Sequence, residues 1–128
     1  MKEERIKVLM IEPGKAPKVS WLTNELTALQ EAVSIGADYQ GLIEVVGLDE
    51  KTCILCNEEG KLIGLEPNRR FGSDILCGVF YIVGQSDEGE FCSLDDYTME
   101  CYAQLFHEIE RFTEGEVDKT IIARFFGL

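Results

Sequence analysis

The chain has 128 residues, of which 45% are hydrophobic and 28% are charged, and these values are typical of one folded domain rather than of a disordered segment. Twelve Lys and Arg residues against 24 Asp and Glu residues give a formal net charge of −12. Nucleic acids and anionic membrane surfaces select basic proteins, so this balance argues against direct nucleic-acid binding and against membrane attachment.

The cysteines and the N-terminal segment predict a cytoplasmic protein. The five cysteines are an odd number, and four of them lie in apolar surroundings, which favours buried reduced thiols over a disulfide framework. The start MKEERIKVLMIEPG contains acids and leads into a strand-like run, which is unlike a signal peptide. No apolar run has the length of a membrane span.

The first third of the chain predicts one strand and one helix. Residues 6–11 (IKVLMI) form an apolar run that ends at a Pro-Gly turn, as expected of a strand buried on both faces. Ser20 is a candidate cap for a helix that ends at Gly36. The apolar stripe of this helix consists of Leu22, Leu26, Leu29 and Val33.

The middle of the chain predicts antiparallel strands. Residues 42–48 (LIEVVGL), 52–56 (TCILC) and 61–65 are separated by polar turns, so we expect a three-stranded meander. Residues 78–83 (GVFYIV) are the most strand-like run, and a hairpin turn connects them to residues 90–92.

The last third predicts a long helix and an apolar tail. Ser93 and Asp96 have the spacing of a capping box, and the helix that follows places five side chains on one face: Tyr97, Cys101, Leu105, Ile109 and Phe112. Tyr102 and Phe106 widen that face. The tail after this helix is too apolar for a free end, so it folds back on the domain or meets a partner. The sequence therefore predicts a single α+β domain over residues 1–128, a mainly antiparallel sheet packed by two helices in the order β-α-β-β-β-β-β-α, plus the tail.

Metal and thiol chemistry find little support in the sequence. Cys53 and Cys56 have C-x-x-C spacing, but residues three apart on a strand point to opposite faces and cannot grip one ion together. His107 is the only histidine, and no local motif places it beside a thiol. We expect no metal site, no bound cofactor and no catalytic residue.

The clearest binding feature is a pair of adjacent arginines after a proline, in the run PNRRF at residues 67–71. Arg69 and Arg70 are expected to project from a loop to opposite sides of an extended backbone. One of them would pair with Glu66 or Asp74, and the other would be free to bind a carboxylate or a phosphate. Internal ion pairing is the other interpretation, and the many acids of the chain favour it over an anion site.

The motifs also carry a family resemblance. The runs KVLMIEPGKAP, LTALQEAV, ILCNEEGKLIGLEPNRRF and CGVFYIVGQSDEGEFCSL resemble a family of small domains of unknown function that occurs mainly in phages, plasmids and other mobile elements of Firmicutes. The resembling motifs cover about residues 6–106. We expect the family-like part to extend to about residue 112 and residues 113–128 to be a C-terminal extension. The resemblance implies that the gene belongs to a mobile element, and it assigns no activity. Mobile elements carry many small proteins that counter host defences, so the resemblance implies a role of that kind.

Three functional hypotheses follow. The first is a non-enzymatic binding protein that captures a small anionic or nucleotide-like ligand with Lys15, Asn68, Arg69, Arg70, Phe71 and Tyr81. The second is an acidic inhibitor of a host protein, acting by protein interaction or by mimicry of DNA. The third is an enzyme that uses a Cys-His pair. The apolar tail or a sheet edge also allows a homo-oligomer.

Overall fold

The computed structural model describes residues 3–127; Met1, Lys2 and Leu128, which belong to the predicted single-domain range of 1–128, lie outside the described residues. The described strands and helices follow one another as β1 (Arg5–Ile11), β2 (Lys18–Thr23), α1 (Leu26–Ala32), β3 (Ile43–Asp49), β4 (Thr52–Asn57), β5 (Pro67–Phe71), β6 (Asp74–Cys77), β7 (Phe80–Gln85), β8 (Phe91–Cys92), α2 (Asp96–Leu105) and α3 (Glu114–Phe126). The predicted α+β class with an antiparallel sheet is confirmed.

Six strands form one antiparallel sheet in the order β2-β1-β7-β4-β3, and β8 pairs with the end of β7. The central strand is β7, where Ile82 pairs with Leu9 of β1 on one side and with Ile54 of β4 on the other. Nearly all of β7 is buried, because helices cover both faces of the sheet. The strands β5 and β6 form a separate hairpin.

Alternation of side chains along the central strands creates one hydrophobic core on each face of the sheet. Phe80 and Ile82 face the core beneath α2. Tyr81 and Val83, which alternate with them, face the core beneath α1. The helical segments complete these cores with buried side chains of their own: Met99 and Phe106 beneath α2, and Leu29 and Val33 beneath α1.

The two cysteines of β4 lie on opposite faces of the sheet, as predicted from their spacing. Cys53 belongs to the core beneath α1, and Cys56 belongs to the core beneath α2. One ion cannot reach both sulfur atoms. Among residues 3–127, no three His, Cys, Asp or Glu side chains form a group that could hold a metal ion.

The predicted helix from Ser20 is wrong in its first half. Residues Lys18–Thr23 form β2, an edge strand that pairs with β1 from Arg5↔Thr23 to Met10↔Lys18. The helix α1 begins only at Leu26, which is 66% exposed. The run KVSWLT alternates β-branched, aromatic and polar residues, so pairing with the adjacent buried strand outweighs the helical stripe.

The predicted third strand of the meander, residues 61–65, is also wrong. This segment is a turn in which the Leu65 amide donates to the Gly60 carbonyl (2.9 Å) and Gly64 has a left-handed φ of 78°. The pairing of β3 with β4 is confirmed, but the other neighbour of β4 is β7. The run FYIV in β7 supplies large side chains to both faces, which the segment KLIGL cannot do.

The predicted C-terminal helix is shorter and turned differently. Its N-cap is Asp95 rather than Ser93, and α2 ends at Leu105. Tyr97 and Leu105 of the predicted buried face are 78% and 65% exposed. Tyr102 and Phe106, which widen the predicted face, do pack against the core beneath α2, and Met99 and Ala103 complete the side of the helix that faces the sheet.

The apolar tail folds back on the domain as α3, which was one of its two predicted outcomes. Phe112 and Val117 pack against a small cluster of Leu65, Ile75 and Cys77 next to the β5–β6 hairpin. None of the described helices has the length and apolarity that crossing a bilayer requires.

Candidate functional site

The predicted cationic residues lie on a strand rather than in a loop. Pro67–Phe71 forms β5 and pairs with β6, because the run ILC of β6 gives it a buried partner. The two arginines point to opposite sides of this strand, as predicted. Arg69 is 1% exposed, whereas the Arg70 side chain is 47% exposed.

The Arg69 guanidinium bonds to oxygen atoms from three parts of the chain. Its Nε donates to the Phe106 carbonyl (3.0 Å) and its Nη2 to the Lys15 carbonyl (2.6 Å). Its Nη1 donates to Oδ1 of Asn68 (2.7 Å). No carboxylate of residues 3–127 forms an ion pair with Arg69. Burial lowers the pKa of Arg69, with the charge of Glu110 opposing that shift.

The end of helix α2 offsets the buried charge of Arg69. Phe106 is the C-cap of α2, and carbonyl groups at a helix C-terminus carry a negative partial charge. Asn68 completes the arrangement, since its Nδ2 donates to the carbonyls of Ile11 (2.9 Å) and Gly78 (2.8 Å). We call these two residues the Asn68–Arg69 cluster. It ties the end of β1, the following loop, the β6–β7 turn and α2 together.

The remaining predicted cations are paired with acids. Arg70 pairs with Glu110 (Nε to Oε1, 3.8 Å) and with Glu116 (Nη2 to Oε1, 3.6 Å), not with the predicted Glu66 or Asp74. The reason is that its side of β5 faces the segment that connects α2 to α3. The Lys15 ammonium pairs with Glu12 (Nζ to Oε2, 3.6 Å) and is 67% exposed.

An open cavity of about 540 Å³ lies beside the two arginines. Arg69 and Arg70 line it, as the anion hypothesis requires, but Glu108 and Glu110 line it as well. The carboxylates oppose the entry of an anion, and the short contacts of Arg69 leave its guanidinium largely committed to backbone oxygens.

The two predicted aromatic residues have different locations. Phe71 packs near the Asn68–Arg69 cluster, with its ring centroid 6.5 Å from that of Phe106. Tyr81 is 2% exposed on the opposite face of the sheet, where its hydroxyl donates to the Ala32 carbonyl (3.0 Å). Burial raises the pKa of Tyr81 to about 12. The structure therefore does not bring Tyr81 to the other predicted residues, because neighbouring positions on β7 face opposite ways.

A second groove is larger than the cavity beside the arginines and is lined mainly by acidic side chains. No sequence motif predicts it. Its volume is about 670 Å³, and five carboxylate residues from three parts of the chain line it: Asp49 at the end of β3 with Glu50 of the following turn, Asp87 and Glu88 of the β7–β8 turn, and Asp95, the N-cap of α2. Within residues 3–127, Lys51 is the one Lys or Arg residue that lines it. We call it the acidic groove. The available sequence signal was that two hairpin turns and one helix N-cap each carry acids, but nothing in the sequence shows that these turns meet.

Hydrogen bonds hold two of these carboxylates in their charged form. The Tyr102 hydroxyl donates to Oδ2 of Asp49 (2.6 Å) and lowers the pKa of that carboxyl. The amide and hydroxyl of Thr98 donate to Asp95 (2.7 and 2.9 Å), and the pKa of Asp95 is lowered as well. The groove therefore presents fixed negative charge at neutral pH.

The thiols are poorly suited to nucleophilic chemistry. Burial raises the pKa of Cys53 to about 11 and that of Cys56 to about 12, so both remain protonated at neutral pH. His107 is exposed just after α2, and within the described residues no hydrogen bond joins it to a sulfur atom.

The comparison with known proteins gives a family without an activity. The model of a domain of unknown function, DUF3846, matches residues 6–107, which is well over half of the chain. No match is found among curated proteins or among solved structures. The chain therefore belongs to the DUF3846 family of domains of unknown function.

Proposed function

We propose that the protein is a non-enzymatic binding protein that uses its acidic groove to hold a basic segment of a partner protein. One observation carries this proposal: among the described residues, five carboxylates and one lysine from three separate parts of the chain line a single groove of about 670 Å³. A cleft lined by one sign of charge focuses its field and attracts oppositely charged partners.

The fixed geometry of the groove supports a protein partner. Asp49 and Asp95 are held by hydrogen bonds before any partner arrives, so little conformational freedom is lost on binding. Nucleic acid would meet repulsion at this surface, whereas lysine and arginine side chains would meet charge complementarity. Mimicry of the DNA backbone, which also relies on arrayed acids, is one form of the same proposal.

The test is binding of a fluorescent oligolysine peptide to the wild type and to two double variants. Asp87→Asn/Glu88→Gln removes two charges from the groove, and Glu31→Gln/Asp38→Asn removes two exposed charges outside it. We expect the groove variant to bind at least about threefold more weakly than the control, with a smaller dependence on salt, because exposed charge pairs contribute roughly 0.2–1 kcal/mol each. Equal weakening of both variants would show that only the overall charge matters and would refute the proposal.

Capture of a small anion remains a second candidate, because both predicted arginines line one cavity and Arg69 has no carboxylate partner among residues 3–127. Its test is the melting temperature in inorganic pyrophosphate and in a nucleoside triphosphate. Arg70→Ala should abolish a rise that Arg111→Ala, an exposed control, retains. The absence of any rise, or an equal rise in both variants, would exclude this candidate.

The resemblance to a family of domains that occurs mainly in mobile elements supports a host protein as the partner. A role against host defence is therefore part of the proposal. The five cysteines are all free thiols, which supports action in a reducing compartment such as the cytoplasm.

A further inference from the structure

The helix α3 lies outside the part of the chain that the family model matches, and it packs loosely. The match ends at residue 107, and α3 spans Glu114–Phe126. None of its residues is buried, and an open cavity of about 540 Å³ lies along it next to Gly64 and Leu65. A helix with so little buried surface opens locally at a lower cost than unfolding of the whole domain.

A small recess beneath α3 contains two thiols and a lysine. We call it the thiol–lysine recess, and it consists of Cys56 from β4, Lys61 from the turn that follows, and Cys77 from β6. Both thiols are buried, and the Lys61 side chain is 5% exposed. Arg124 and Phe125 of α3 line the same recess, so α3 closes it.

Arg124 ties the last turn of α3 to the sheet over the recess, while Glu116 in the first turn pairs with Arg70. Arg124 pairs with Glu44 of β3 and with Asp74 of β6, the latter at 3.5 Å between Nη1 and Oδ2. Asp74 also pairs with Lys61, so one acid connects the helix to the recess. The Arg124, Glu44 and Asp74 side chains are 27% to 31% exposed, and solvent screening makes ion pairs of this kind weak.

The closed arrangement keeps the thiols unreactive. Burial raises the pKa of Cys56 to about 12 and raises that of Cys77, while the Lys61 charge opposes the rise at Cys77. The thiolate is the reactive form of cysteine. Entry of solvent would remove the burial effect and leave Lys61 beside Cys77, an arrangement that favours the thiolate.

We propose that α3 is a reversible cap on the thiol–lysine recess. Its local opening admits solvent and thiol-directed reagents to Cys56 and Cys77 while the rest of the fold stays intact. Opening of α3 would thus expose a site that is separate from the acidic groove, because the thiol–lysine recess and the groove share no lining residue.

The test is the rate at which iodoacetamide labels each cysteine of the full native chain, followed by peptide-resolved mass spectrometry. Arg124→Ala removes the ion pairs that hold the last turn of α3 over the recess, and Lys119→Ala makes the same change of charge at an exposed position of the same helix. We expect Arg124→Ala to label Cys56 and Cys77 at least about fivefold faster than the wild type or the control, since loss of about 1 kcal/mol corresponds to that factor.

Cys53 distinguishes opening of the cap from unfolding of the domain. It is fully buried in the core beneath α1, away from α3, so its rate should not change. Faster labelling of Cys53 in parallel with the other two would mean global destabilisation and would overturn the proposal, as would unchanged rates at Cys56 and Cys77. Arg124 lowers the pKa of Cys56, so loss of its charge alone would slow the labelling of Cys56; a faster rate therefore reports exposure.

Discussion

Arg69 and Arg70 are adjacent in the sequence and have opposite environments in the fold. Arg70 forms loose ion pairs at the surface, whereas Arg69 is buried among backbone carbonyls and the Asn68 side chain. The net value of a hydrogen bond is modest, but a buried acceptor without its donor is expensive. Burial rather than charge therefore sets the contribution of each arginine to stability.

The pair provides a matched experiment, in which Arg69→Met is compared with Arg70→Met. We expect Arg69→Met to reduce the free energy of unfolding by about 3 kcal/mol, because each buried oxygen without a donor costs about 1–3 kcal/mol and removal of a buried charge returns part of this. Arg70→Met should change it by less than about 1 kcal/mol. Urea denaturation measures both values, and equal losses would contradict the structural role assigned to Arg69.

At the scale of elements, the contact of β7 with β8 forms the floor of the acidic groove. Gly84 of β7 pairs with Cys92 of β8, and both residues line the groove. A Cβ atom on Gly84 would lie 2.9 Å from the Cys92 carbonyl oxygen and 3.0 Å from the Ser93 carbonyl oxygen. Close approach of backbone to backbone at this corner thus requires glycine.

Gly84→Ala should separate β8 from β7 and reduce stability by about 1–3 kcal/mol, the usual cost of overpacking. Gly47→Ala in β3 is the control, because a Cβ atom there would have no neighbour within 4 Å. Thermal melts followed by circular dichroism compare the two variants. A Gly84→Ala protein as stable as the Gly47→Ala protein would show that β8 adjusts freely.

At the scale of the whole molecule, titratable groups define a window of stability. Hydrogen bonding to Lys18 holds the pKa of Glu12 below its usual 4.5, and hydrogen bonding to Tyr102 holds that of Asp49 below 3.8. Groups with lowered pKa values stabilise the fold above their unfolded pKa, and this contribution is lost as the pH falls through the folded value. At the alkaline end, the unfolded thiols ionise near pH 9.0, whereas the folded Cys53 and Cys56 ionise at about 11 and 12.

The free energy of unfolding should therefore be greatest between about pH 5 and 8 and should fall on both sides. The acid loss begins below the ordinary carboxyl pKa values of 3.8 and 4.5, and the alkaline loss begins near 9.0. Urea denaturation across this range measures the profile. The variant Cys53→Ala tests the alkaline side, since it should reduce the slope there; an unchanged slope would contradict the assignment to buried thiols.

Features that depend only on neighbouring residues can be predicted from the amino-acid sequence. The runs of β1, β3, β4 and β7 were recognisable because β-branched and aromatic residues alternate between polar turns. The opposite directions of Arg69 and Arg70, and of Cys53 and Cys56, follow from the two-residue period of a strand. These properties are local, and local geometry needs no knowledge of the rest of the chain.

Which segments of the chain meet depends on long-range packing, and only the folded molecule shows it. Residues 18–23 form a strand because they pair with the edge of β1. The helix α2 buries the side that carries Met99 and Phe106. The turns that carry Asp49, Asp87 and Asp95 lie far apart in the sequence but line one groove, while Tyr81 lies on the opposite face from Arg69. Long-range pairing and core packing select these arrangements, because the free energy gained by burying apolar surface outweighs weak local preferences.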